Sequence, residues 1–229
     1  MRGQHVTNKG PFEPVSFDST YAIIGNSFGE EGSGKTDFWL GGPAPIAVQL
    51  VGDPNGLQGP LQRYKGKEIY KTDYRFNPVA YASRGETREA AEELWNKFLA
   101  DYRYALQAGV RTIIWDKEDY VWELFRHACF GDKTAMQLNF YELNCEYRLL
   151  VGEAIDAGVS LGLIRGLEDQ WVSRETVDGK MKGHNTGVRK QRGMKEIPEI
   201  VDVNLHHRWD DETKSFYVEI GKCRPNGLM

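Results

Sequence analysis

The chain has 229 residues, 40% of them hydrophobic, and a formal net charge of −4. That length suits one domain, or one with a small appendage, and the mildly acidic balance excludes a global pull toward nucleic acid, so any such binding must come from a local patch. Three scattered cysteines, Cys129, Cys145 and Cys223, form no C-x-x-C pair and argue against a zinc site or a disulfide framework; no apolar run approaches membrane-spanning length and no signal-peptide core is present, so a cytoplasmic protein without membrane contact is expected.

In chain order, residues 1–19 are polar and broken by Pro11 and Pro14. They read as an arm outside a domain spanning 20–229, with Phe12, Val15 and Phe17 as anchors for a neighbouring subunit or as parts of a free tail. TYAIIG (Thr20 to Gly25) is a buried strand, and KTDFWL (Lys35 to Leu40) opens a short helix. PIAVQLVGD (Pro45 to Asp53) and KEIYKTD (Lys67 to Asp73) are strands. Ser83 and Glu86 have capping-box spacing, and Leu94, Phe98, Tyr102 and Ala105 mark one face of the helix that follows, up to Gly109.

VRTIIWD (Val110 to Asp116) is a strand, YVWELFRHACF a helix ended by Gly131, and Ala135 to Ala157 a longer helix. VSLGLI (Val159 to Ile164) is the next strand. EIVDVNLHHRW and KSFYVEIGKC form an antiparallel hairpin turning at Asp210 and Asp211. Strands alternating with helices imply an α/β fold: a mainly parallel sheet with helices on both faces and a C-terminal antiparallel hairpin.

Between the first strand and helix stands GEEGSGKT, the pattern G-x-x-x-x-G-K-[ST] filled by Gly29, Gly32, Ser33, Gly34, Lys35, Thr36 and the glutamates Glu30 and Glu31. The glycines let backbone N–H groups converge on phosphate oxygens. Lys35 reaches the outer phosphates, and Thr36 offers a hydroxyl to Mg²⁺. Glu30 and Glu31 occupy variable positions, where only the backbone must face the phosphates. ATP with Mg²⁺ is therefore the expected cofactor.

Ligands of parallel sheets sit at the carboxyl ends of the strands, where Asp53, Asp116 and Arg165 also fall. Asp116 ends an apolar strand and is a candidate for holding Mg²⁺ through water, or else a strand-end cap. Asp53 and Glu118 are candidates for orienting the attacking water, unless both are solvated acids. Arg165 either touches the γ-phosphate or is a surface arginine paired with Glu168 or Asp169. From Lys180 to Lys195 the chain carries Lys180, Lys182, Arg189, Lys190, Arg192 and Lys195 with no acid between them, and Gly183, Gly187 and Gly193 make it read as a flexible loop. Such a loop suits single-stranded DNA, although a solvated loop or one touching a neighbour's nucleotide has the same composition.

The order GEEGSGKTDF, GPAPIAVQLVGDPNG, TIIWDKEDYVWELFRHACFG, DAGVSLGLIRGLEDQW resembles the phage-type AAA or RecA-like P-loop ATPases, a group that includes single-strand annealing recombinases. The resemblance runs from about Thr20 to Ile220. It implies a RecA-like sheet, ATP hydrolysis, phage DNA recombination in the host cytoplasm, a homo-oligomer with nucleotide between subunits, and a DNA-contacting loop after the strand bearing Arg165. It carries over Lys35 and Thr36 as phosphate and Mg²⁺ residues, Asp116 as the second-motif acid and Asp53 as a catalytic acid. LVGDPN is less acidic than the family's second strand end, and KED follows Asp116 where small hydroxyl residues are expected. A small-molecule or nucleotide kinase, and a nucleotide-binding assembly module without turnover, are the alternatives.

Overall fold

Short strands with alternating apolar faces need cover on both sides, and the helices between them supply it. The computed structural model describes residues 22–136, 140–175 and 181–224. The element order is β1 (Ile24–Gly29), α1 (Lys35–Leu40), β2 (Ile46–Val51), a 3₁₀ turn (Pro60–Tyr64), β3 (Ile69–Tyr74), α2 (Pro78–Ala82), α3 (Thr87–Gln107), β4 (Thr112–Asp116), α4 (Glu118–Phe130) and a second 3₁₀ turn (Gly131–Met136). Then come α5 (Tyr141–Asp156), β5 (Ser160–Arg165), β6 (Leu167–Glu175), β7 (Met181–Gln191), α6 (Ile197–Ile200), β8 (Val203–Asp210) and β9 (Ser215–Cys223).

Seven strands form one sheet in the order β3-β2-β4-β5-β1-β8-β9. All neighbours pair in parallel except β8 and β9, the expected C-terminal hairpin. Alternation assigns each face its core. Ile113 and Trp115 of β4 and Leu161 and Leu163 of β5 point to the face covered by α3, α4 and α5. Ile114 and Ile164 point to the other face, where Trp39 and Leu40 of α1 pack with Ile46 and Val48 of β2. Gly25 and Gly162 are needed there, because a Cβ at either would overlap the Trp39 indole. The expected α/β architecture is present. Among the described residues no helix is long and apolar enough to cross a membrane.

Several local expectations are corrected. The first strand begins at Ile24 and runs on to Gly29, so the phosphate motif starts inside it. The Ser83–Glu86 capping box does not form: Ser83 ends α2 and bonds back to the Ala80 carbonyl, and Glu86 stands at the start of α3 without a side-chain cap. The long helix from Ala135 is divided, with α5 beginning at Tyr141. The largest correction is the basic run. From Met181 to Gln191 it is not a flexible loop but a strand, β7, paired antiparallel with β6 in a separate two-stranded ribbon. The arm at 1–19 and Lys180 lie outside the described residues.

Candidate functional site

The phosphate motif needs a chain that turns sharply at the end of a strand. Gly29 closes β1 at φ 151°, and a Cβ there would overlap the His207 carbonyl. Gly34 precedes α1 at φ 83°, in the left-handed region that favours glycine, and the Phe216 ring lies 3.3 Å from where its Cβ would stand. Between them the loop folds around the Lys35 ammonium. Lys35 Nζ donates to the carbonyls of Gly29 (3.0 Å) and Glu30 (2.6 Å) and to Ser33 Oγ (3.3 Å). Burial draws the Lys35 pKa below its ordinary value, while Asp116, Glu30 and Glu31 pull it back up.

Beneath the loop lies a buried polar support. Ser27 Oγ accepts from Trp39 Nε1 at 2.8 Å and lies 3.0 Å from His207 Nε2. This network ties β1, α1 and β8 together directly under the phosphate motif. Burial holds His207 at a pKa of about 4, with the Lys35 and His206 charges acting in the same direction.

The acids separate into two groups. Thr36 Oγ1 donates to Asp116 Oδ2 at 2.8 Å, across 80 residues of sequence. Asp116 is 6% exposed; burial pushes its carboxyl pKa up, the Thr36 hydrogen bond opposes the shift, and nearby Asp53 adds to it. Asp53 lines the same cleft, with Lys117 Nζ 3.8 Å from its carboxylate and equally far from Glu31. The Asp116–Lys117 peptide is cis.

Glu118, two residues further, points away into the core. It is fully buried, 3.0 Å from Arg165 Nε, and accepts from the Tyr147 hydroxyl at 2.9 Å. Burial raises its pKa to about 7, against the Arg165 charge. Arg165 reaches the wall of the cleft but is only 1% exposed, and its other nitrogens donate to Gln191 Oε1 (3.1 Å) and the Met194 carbonyl (2.8 Å). It is neither a surface arginine bound to Glu168 or Asp169 nor a guanidinium free for phosphate.

Three cations of the basic run, Arg189, Lys190 and Arg192, are paired rather than bare. Lys190 meets Glu168 at 3.0 Å, across the ribbon. Arg189 bridges Asp169 at 3.3 Å and Glu30 of the phosphate loop at 3.2 Å. Arg192 reaches Asp119 at 3.4 Å and stacks over Tyr120, 4.7 Å from the ring centre. Lys182 and Lys195 are exposed and do not line the cleft. Trp171 comes from the opposite strand, over Gly183, and is 62% exposed. Gln191 is wired to the sheet, since its Oε1 accepts from Asn26 as well as Arg165.

Loop, acids and ribbon arginines thus line one open cleft of about 810 Å³ at the carboxyl ends of β1, β4 and β5. That volume is within the range of small-molecule sites. Among the described residues no group of three or more His, Cys, Asp or Glu is arranged to hold a metal. Thr36 and Asp116 nevertheless present two hard oxygen donors side by side, which fit Mg²⁺ when phosphate and water complete the shell. Sequence reasoning missed Lys117, Asp119 and Phe216 as parts of the cleft. The Phe216 signal lies in the alternation Phe216, Val218, Ile220, which puts its ring on one face of the terminal hairpin. No protein-family model matches the chain, and no curated protein matches its sequence.

Proposed function

We propose that the chain is a RecA-like P-loop ATPase that binds Mg-ATP at Gly29–Thr36, hydrolyses it, and uses it on single-stranded DNA in phage recombination or strand annealing. The observation that carries the nucleotide reading is the 2.8 Å hydrogen bond from Thr36 to Asp116. A chance glycine-rich turn has no reason to place its terminal hydroxyl on an acid from a strand two positions away in the sheet.

In this reading Lys35 exchanges loop carbonyls for phosphate oxygens, a better partner for a half-buried ammonium. Thr36 and Asp116 would hold Mg²⁺, which when bound would supply neutralising charge to the phosphates. Asp53 is the acid that positions water, because it lines the cleft, whereas Glu118 is committed to Arg165 and Tyr147. The DNA assignment rests on the resemblance and on a ribbon rooted beside the loop, with Trp171 to stack a base and Lys182 to meet a phosphate.

A second reading has its own support. Arg189 and Arg192 line the nucleotide cleft, as a cationic lid of a kinase would. Phosphate release separates the two. We expect wild type to release phosphate from Mg-ATP faster with single-stranded DNA. Lys35→Ala should weaken ATP binding at least about 100-fold while remaining folded. Asp116→Asn should keep binding but slow turnover by about 10- to 100-fold. ADP release that depends on a small acceptor, not on DNA, would select the kinase.

A further inference from the structure

The cleft has a direction. Thr36 and Asp116 mark the metal end, on the β4 side of the loop. In the sheet order β4-β5-β1-β8-β9, the opposite side of the loop faces β8 and β9. A triphosphate laid along the loop with its terminal end toward Asp116 therefore delivers its nucleoside end toward the terminal hairpin. There stands Phe216, 46% exposed, lining the cleft, with its ring against Gly34 and 4.6 Å from the Trp209 ring. Among the described residues, the other aromatic ring of the cleft is Tyr120, on the acid side, and it already faces two cations, Lys117 and Arg192.

The polar groups around Phe216 are engaged with one another. Thr213 donates to Asp210 at 2.6 Å, Trp209 Nε1 donates to Asp211 at 3.0 Å, and Lys214 pairs with Asp211 at 3.4 Å. The hairpin thus presents a π face without a set of donors and acceptors to read a base edge.

We propose that Phe216 is the platform on which the nucleotide base stacks, and that it selects by stacking area. Purine triphosphates are then held alike, with ATP and GTP within about threefold and CTP weaker. This inference rests on the nucleotide reading of the loop. A Cβ at Gly34, where the left-handed backbone already favours glycine, would press on the same ring.

The test compares ligands with and without a base on the full chain. Binding of Mg-ATP, Mg-GTP, Mg-CTP and Mg-tripolyphosphate is measured for wild type, Phe216→Ala, Phe216→Leu and Phe216→Trp. Phe216→Leu keeps an apolar group against Gly34 and Trp209 while removing the π face, so it separates stacking from support of the loop. Both Phe216→Ala and Phe216→Leu should lose about 5- to 150-fold in ATP affinity, the range for removing one base–aromatic stack. Tripolyphosphate affinity should stay within about twofold, and Phe216→Trp should restore ATP. Equal losses for ATP and tripolyphosphate would overturn the platform and make Phe216 a support of the loop. Unchanged ATP affinity, or a preference for ATP over GTP beyond tenfold, would overturn it too. If wild type binds neither ATP nor tripolyphosphate, the nucleotide reading itself falls and the platform falls with it.

Discussion

The phosphate loop and the β6–β7 ribbon are both glycine-punctuated and both charged, yet the same ingredients do opposite things. In the loop, Gly29 and Gly34 bend the backbone so that its own polar groups surround one lysine. In the ribbon, cross-strand pairing straightens the chain, and acids on β6 neutralise cations on β7. The loop is built from local geometry; the ribbon is built from a partner strand upstream. The two meet at Arg189, which holds Glu30 of the loop, and at Gln191 and Arg165, which tie the ribbon's base to β1 and β5.

The hardest way to break this arrangement is to empty the junction. Arg165 and Glu118 are both buried, and Arg165 also satisfies Gln191 and the Met194 carbonyl. Arg165→Ala should destabilise by about 3–5 kcal/mol, because it leaves an uncompensated buried carboxyl. The paired change Arg165→Met with Glu118→Leu should recover most of that loss, since no charge is then stranded. Chemical denaturation of the three proteins checks this. A loss below about 1 kcal/mol for Arg165→Ala would mean that the buried Glu118 carboxyl does not depend on this counter-charge.

This junction also marks where the sequence stops being readable. The phosphate motif is legible because each residue acts on its immediate neighbours, and so are the parallel strands, whose apolar runs end at Asp53, Asp116 and Arg165. Arg165 itself is not, because its partner Glu118 comes from the start of α4 and its others from the end of β7 and beyond. Glu118, two residues past Asp116, reads as a candidate for orienting water, but helix entry there sends its side chain into the core. The run from Lys180 reads as a loop when its glycines and cations are taken without Glu168 and Asp169 across the ribbon. The capping box at Ser83 fails for a related reason: a one-turn helix, α2, takes Ser83 for its own end.

A pH titration tests the loop's support rather than its grip. His207 sits under the motif, 2% exposed, and burial holds its pKa near 4 instead of 6.5. The folded protein therefore keeps it neutral, while the unfolded chain takes up a proton as pH falls through about 6.5. The unfolded state binds more protons between these values, so stability is full above about 6.5 and falls as pH drops toward about 4. The loss attributable to His207 reaches up to about 2–3 kcal/mol. His207→Gln should flatten the stability profile between about pH 6.5 and 4 by that amount. An unchanged profile would show that the space under the loop accepts an imidazolium.

The smallest effects, and the finest comparison, lie along the ribbon. Lys190 and Glu168 are both nearly half exposed, so Lys190→Gln should change stability by less than about 0.5 kcal/mol. Arg189 is as exposed but touches two acids, and Arg189→Gln should stay below about 1 kcal/mol. Arg192 differs, because its partner Asp119 is 4% exposed and burial already pushes that carboxyl pKa up. Arg192→Gln should therefore cost more than either, about 1–3 kcal/mol, since the buried acid is deprived of its counter-charge. The same series reads DNA binding. Every single-strand phosphate that no longer meets a cation lowers the slope of log affinity against log salt by about 0.7, so neutralising three free cations would lower it by about 2. Cations that must first leave an acid contribute less, and the variant neutralised at Arg189, Lys190 and Arg192 together should fall well short of that value. A full drop of about 2 would mean that the pairs open on DNA and that the ribbon, like the loop around Lys35, holds its cations on loan from the ligand.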